Sequence, residues 1–357
     1  MGFFDRKINF NKENNSVKQR VRNKINQIKL KNEVGDLYRL AIKEINGLEQ
    51  YLDEIHAVAP HRHFAVVEAE EKIMSLIEEN PKILQVQSKK GRTIGMRSAR
   101  YNLTKVMEAT IDDPIASLIQ DNQGYNVGKW ALEYFRYDIV SKALDNHEMS
   151  IQQTNVLGSN LGMACAILEL EDLTIKAMDN TEALLQQNYE GENMAMIAAS
   201  FKMEKAAIKG LDNNEVSLQQ NIRGLNLGMI CAKERLANAT MKALDNPVAS
   251  TQLDNEQNNI AAHCVISGLE DCAIKALENK ESCFQRLRQG ANFPIEAVRY
   301  NRIRVVQEAI KDKDIRKFEG RAGTIRNYAE IYKYEDIVEE IDRLNELSET
   351  KEGYINE

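Results

Sequence analysis

This chain of 357 residues is poor in the features that break or bridge a fold. It has 5 prolines and no Gly- or Ser-rich run, which excludes long flexible linkers. Its 5 cysteines are an odd number, so no closed disulfide set accounts for them. No apolar run approaches the about 20 residues needed to cross a bilayer, so no membrane span is expected. The opening MGFFDRKINF has no apolar core, so no secretory signal is expected either. Gly2 does not suggest lipidation, because Arg6 sits where a myristoylation motif wants Ser or Thr. Aromatics make up 6% of the chain, with a single Trp, so any aromatic cluster stands out. No phosphate-cradling Gly-rich loop, HExxH, GxSxG or CxxC is found, so the chain carries no recognisable catalytic, cofactor or metal site.

What is present is a repeat of 33 residues, anchored at Gly91, Gly124, Gly158, Gly191, Gly224, Gln257, Gly290 and Gly323, with one step of 34 from Gly124 to Gly158. Such self-similarity means stacked units, none able to bury its apolar face alone. Two residues after the anchor stand Asn126, Asn160, Asn193, Asn226, Asn259 and Asn292, where Asn suits a helix N-cap. Pro294 agrees, since Pro fits the first turn of a helix. The first helix then runs about nine residues, as in Met163 to Glu171. A second helix carries Lys-Ala-Leu or a variant of it, as in Lys242-Ala243-Leu244, with Lys favoured by the helix dipole. Asn146, Asn180, Asn213, Asn246 and Asn279 stand where a left-handed C-cap is expected. A connector with Gln pairs (Gln152-Gln153, Gln186-Gln187, Gln219-Gln220) follows. Cys165, Cys231 and Cys264 share one slot with Ser98, Ala131, Ala198 and Ala297, so they read as small, reduced, buried side chains. Reduced cysteines imply a reducing compartment, and the expected location is cytoplasmic.

Two short helices and a loop in each 33-residue copy resemble the ankyrin repeat. The family's Gly-x-Thr-Pro-Leu-His-x-Ala-Ala run corresponds to Gly224-Leu225-Asn226-Leu227-Gly228-Met229-Ile230-Cys231-Ala232. Asn replaces Thr, and Met96, Met163, Met196 and Met229 replace His. The resemblance implies that the Thr–His hydrogen bonds tying helix to loop are lost, which leaves the regular hairpin loop in question. It also implies an all-α, ankyrin-like helical-hairpin repeat solenoid over residues 58–345, with a degenerate first copy at 58–90, where His63 takes the family's His slot. Seven copies follow at 91–322, then a C-terminal cap at 323–345 and a flexible tail at 346–357. His56, His61 and His63 as a metal cluster lack a fourth ligand.

Residues 1–57 differ in character. Residues 1–32 hold nine Lys/Arg against Asp5 and Glu13, a net of +7, so the rest of the chain carries −14 of the total −7. Val34, Tyr38, Ala41, Ile45, Leu48, Leu52 and Ile55 form a helical apolar stripe, and Val17, Val21, Ile25 and Ile28 form another. This segment is expected to be a helical cap on the repeats, or a coiled coil making a homodimer through residues 17–57.

Repeat proteins read partners through positions that vary between copies. Those positions hold Arg97, Arg100, Tyr101, Tyr125, Trp130, Tyr134, Phe201, Arg299 and Tyr300, residue types that dominate binding hot spots. The expected function is therefore a non-enzymatic module that binds a partner protein on the concave face of the repeats, with no cofactor. The alternative is a nucleic-acid-associated protein using the basic arm, since an acidic body repels a phosphate backbone.

Overall fold

The computed structural model describes residues 27, 29–30, 34–47 and 59–355. The remaining basic arm, the stripe beyond residue 47 and His56 lie outside the described residues, as do the side chains of His61 and His63. The described chain is all-helical, apart from one isolated bridge between Gly320 and Gly323. No helix among the described residues is long and apolar enough to cross a membrane. The chain divides into two compact units, residues 1–161 and 162–357.

Each copy begins as its sequence indicates. The anchors Gly91, Gly124, Gly158, Gly191, Gly224 and Gly290 have φ between +67 and +82, and Gln257 adopts +65. The first helices start on caps: Asn126, Asn193, Asn226, Asn259 and Asn292 each accept from a backbone N–H three residues on, as does Thr93 in the first copy. The helices are shorter than expected. Where nine residues from Met163 to Glu171 were anticipated, the helix is Leu161–Ile167, and Glu169 turns the chain with φ 58. The same left-handed turn recurs at Asn102, Phe135, Lys202, Arg235, Gly268, Asn301 and Lys333.

The second expectation to be corrected concerns the asparagines after the second helix. Asn180, Asn213, Asn246 and Asn279 are not left-handed C-caps. Their backbones are extended, and each side chain caps a third, short helix: Thr181–Leu185, Asn214–Leu218, Pro247–Thr251 and Lys280–Phe284. Asn146 does the same for His147–Ser150. An Asn followed by Pro fits either end of a helix locally, and here Pro247 begins one.

Loop length explains the irregular steps. In regular copies the loop closes from residue i to i+4, as Asp121 N to Tyr125 O (2.9 Å) and Asp254 N to Asn258 O (2.9 Å). The copy with the 34-residue step closes from Thr154 N to Ser159 O (3.0 Å), so its extra residue is absorbed at the tip, where Val156 and Leu157 are exposed. The last loop is one residue shorter, closing from Gly320 N to Gly323 O (2.9 Å). Its cap is therefore Thr324, one place earlier than a strict count from Gly323 gives.

The ends depart from the repeat. Residues 59–79 form one helix of 21 residues where a degenerate copy would place two. Helical residues 34–47 bring Ala41 and Ile45 into one core with Ile73, Ile77, Ile83, Ile94 and Leu103. The final helix, Glu335–Ile355, continues through residues where a tail was expected.

Candidate functional site

An amide network ties the loops to the helices. Asn226 Oδ1 accepts from Met229 N (2.9 Å), and its Nδ2 donates to Gln252 Oε1 (2.8 Å). Gln252 Nε2 then donates to Leu218 O of the preceding copy (2.9 Å). The arrangement repeats at Asn126–Gln152, Asn193–Gln219 and Asn259–Gln285. A Gln four residues before the loop Gly stitches the loops, whether or not it stands in a pair: Gln120 Nε2 donates to Gly124 O (2.8 Å) and to Gln153 O one copy on (3.2 Å). Gln220 likewise reaches Gly224 O and Leu253 O. Within each unit, successive loop tips are joined by backbone bonds, as Asn122 N to Lys90 O (3.1 Å) and Asn255 N to Arg223 O (3.0 Å).

On this scaffold the copies from Gly91 and Gly124 build a cleft of about 340 Å³ within the first unit. Its lining includes Lys89, Lys90, Arg92, Arg97, Arg100, Met96, Tyr101, Trp130 and Tyr134. Trp130 is at the centre. Its ring stacks on Tyr134 (centroids 6.1 Å apart, 18° between planes) and meets Tyr125 edge-on (6.0 Å, 63°). The Arg92 guanidinium lies 4.2 Å from the Trp130 ring, a cation–π contact. Trp130 Nε1 donates to Asp121 Oδ2 (3.1 Å), which fixes the indole, while Asp121 Oδ1 accepts from Gln123 N (2.8 Å) and Tyr125 N (3.0 Å). Arg92 Nε is buried with no hydrogen-bond partner, 3.8 Å from Asp121 Oδ2. Burial, ahead of the Glu133 and Asp121 charges, pushes the Tyr125 phenol up from its ordinary range.

Six of the nine residues singled out by sequence therefore meet here: Arg97, Arg100, Tyr101, Trp130 and Tyr134 in the lining, and Tyr125 against Trp130. Two have other duties as well. Arg97 donates to Asn46 Oδ1 (2.6 Å), tying the 34–47 helix down, and Tyr101 is buried in the core. Phe201, Arg299 and Tyr300 belong to the second unit, where Phe201 and Tyr300 are exposed and Arg299 pairs with Glu296 (2.7 Å). Lys89, Lys90, Arg92 and Met96 were missed. Arg92 occupies the slot that Tyr125 fills one copy on, so aligning that slot across copies would have found it. Lys89 and Lys90 sit at the loop tip, whose position emerges only with the loop hydrogen bonds. Other tips expose Tyr189 and Ile222 in the second unit.

The second unit repeats part of the cleft's framework with different chemistry. His263 takes the Trp130 position, and its Nε2 lies 2.8 Å from Asp254 Oδ2. Burial holds its pKa below the ordinary 6.5, against the opposing pull of Asp254. The shared small-residue slot is filled by Ala198, Cys231, Cys264 and Ala297, all fully buried, and burial raises the Cys231 thiol. Among the described residues no group of three His, Cys, Asp or Glu is placed to hold a metal.

No protein-family model and no curated protein matches the chain. Among solved structures, a chain from the complex of a predatory endopeptidase of Bdellovibrio bacteriovorus with an immunity protein is similar over 51% of this chain and 97% of its own length. The identity is 16% and the TM-score 0.38, a likeness too remote to inform activity or partner.

Proposed function

We propose that the chain is an ankyrin-like helical-repeat module that binds a partner protein, without turnover or cofactor, at the aromatic and cationic cleft of its first unit. The observation that carries this reading is the convergence of Arg92, Trp130 and Tyr134 on one open cleft, held by Asp121 and by the amide network of the loops. Aromatic and Arg side chains on a preorganised scaffold lose little entropy on binding, which is what makes them hot spots. The helix-forming residues recur from copy to copy, whereas the aromatic and cationic residues of the cleft do not.

The test begins with affinity capture from the native host and continues with calorimetry on the captured partner. Trp130→Ala and Tyr134→Ala are expected to weaken binding by about thirtyfold or more, the loss of about 2 kcal/mol typical of a hot spot. Lys233→Ala, exposed in the second unit, should leave the affinity unchanged. Circular dichroism should confirm unchanged helicity in all three. Equal affinities would place the interaction elsewhere on the molecule.

A further inference from the structure

The charge around the cleft narrows the kind of partner. Five cationic side chains line it (Lys89, Lys90, Arg92, Arg97 and Arg100) and no carboxylate does. Of the two acids beside the aromatic cluster, Asp121 is almost completely buried and spends both oxygens on the loop and on Trp130, while Glu133 is exposed on the Tyr125 side and is not part of the lining. Lys89 and Lys90 are exposed at the loop tip with no carboxylate partner among the described residues. This cationic patch sits on a chain whose net charge is −7. Residues 33–357 carry −14 in all, so outside the basic arm this patch is a cationic island on an acidic body, and it favours docking of an acidic partner there.

Resting on the protein-binding reading above, we propose that the cleft takes a linear acidic segment of a partner protein, with Asp or Glu carboxylates spread along it. The cations are distributed rather than convergent: Arg92 is held against Trp130, Arg97 is tied to Asn46, and Lys89 and Lys90 stand on the loop. Separated cations match successive carboxylates better than one compact dianion. A cleft of about 340 Å³ takes the side chains of a stretch laid across it. The Tyr134 and Trp130 rings give the apolar part of such a segment a surface to cover.

Trp130 is the only Trp in the sequence, so emission excited at the red edge, beyond the absorption of the 12 tyrosines, reports this cleft. The full chain is titrated with four probes: a ten-residue Asp/Glu-rich peptide containing one Leu, its Asn/Gln counterpart, a neutral-background peptide with one phosphoserine, and a single-stranded DNA oligonucleotide. The acidic peptide is expected to change Trp130 emission saturably, with affinity falling as salt rises. Arg92→Gln should weaken it by about tenfold, the loss of one charge-assisted hydrogen bond. Lys89→Gln with Lys90→Gln should mainly reduce the association rate, and Arg223→Gln, a loop-tip residue of the second unit, should change neither. Tighter binding of the phosphopeptide or the DNA overturns the inference, and so does equal binding of the Asn/Gln peptide. Silence of Trp130 to every probe also overturns it. If the captured partner is nonetheless lost on Trp130→Ala, the protein-binding reading stands and only the acidic chemistry fails.

Discussion

Asn226 shows how one side chain does the work of two. It caps its helix through Oδ1, and through Nδ2 it donates both to Gln252 Oε1 and to Ala249 O. Gln252→Ala is expected to remove one of that amide's two acceptors and the bond to Leu218 O, at about 0.5–1.5 kcal/mol for each bond, measured by denaturant unfolding. The copy from Gly290 already lives this way. Phe318 stands where Gln is due, and Asn292 Nδ2 is buried with no partner. Asn292→Ala should therefore cost less than Asn226→Ala, and equal costs would show that the Gln contact contributes nothing. The Gln pairs are plain in the sequence, but their role was not. Local pattern reads a helix cap, whereas the Asn–Gln bond spans 26 residues. His263 carries a different consequence. Its pKa is lower in the fold than the ordinary 6.5, chiefly from burial, so the unfolded chain binds the proton more readily. Its contribution is complete above about pH 6.5 and is lost as pH falls below that value towards the folded pKa. The drop in melting temperature between about pH 7 and 5.5 should shrink in His263→Gln. Parallel profiles for the two proteins would assign the acid sensitivity to other groups.

Between elements, spacing is set by small residues in reciprocal pairs. A Cβ on Gly228 would come within 2.8 Å of the Ala243 Cβ, and also against the end of Ile260. One copy earlier the roles are exchanged: Ala195 occupies the first helix, and the second helix answers with Gly210, whose added Cβ would lie 2.3 Å from that of Ala195. In these two copies the first and second helices cross where one methyl group fills the contact, whereas the copy from Gln257 carries two, Ala261 and Ala276. Gly228→Ala is expected to destabilise the protein by about 1–3 kcal/mol through overpacking. Adding Ala243→Gly should recover most of it, because the pair then matches the copy before. A double-mutant cycle on urea midpoints reads the coupling, and strict additivity would rule the contact out. The alternation was visible in sequence as Gly or Ala at one position, but its partner lies on another helix and its meaning required the fold. The same holds for the second helices. Their own N-cap positions offer no side chain, and the cap comes from the preceding copy: Glu204 Oε1 accepts from Asn238 N (2.8 Å), and Glu171 Oε1 from Lys205 N (3.1 Å). Within each unit the Lys of the Lys-Ala-Leu stretch or its variant, expected to favour its own helix end, reaches an Asp of the previous copy instead, as Lys275 to Asp245 and Lys142 to Asp112. These pairs are partly exposed, so they contribute little stability each and chiefly align successive copies.

Over the whole molecule, the described N-terminal helix decides how the first unit begins. Val34, Ala41 and Ile45 are buried, Leu37, Tyr38 and Ile42 pack beside them, and Arg97 reaches across to Asn46. The apolar stripe was legible because its 4-3 spacing is strict, yet that spacing fits a cap and a coiled coil equally. Within residues 34–47 its apolar face is covered by the 59–79 helix and the first copy, which supports the cap. A chain beginning at Ala59 would expose Ile73 and Ile77 to water. Full burial of an aliphatic side chain of this size contributes about 1.5–3 kcal/mol, so losing Val34 and Ile45 alone would consume much of a typical domain's stability. Trp130 lies in the first unit, so its emission follows that unit while circular dichroism follows both. The shortened chain is expected to lose its fluorescence transition at a lower temperature than the full chain. The part of the dichroism change that belongs to the second unit should move less. Sedimentation should give each protein the mass of one chain. A full-length dimer that becomes a monomer on shortening, with the Trp130 transition unmoved, would show that the segment assembles two chains instead of capping one.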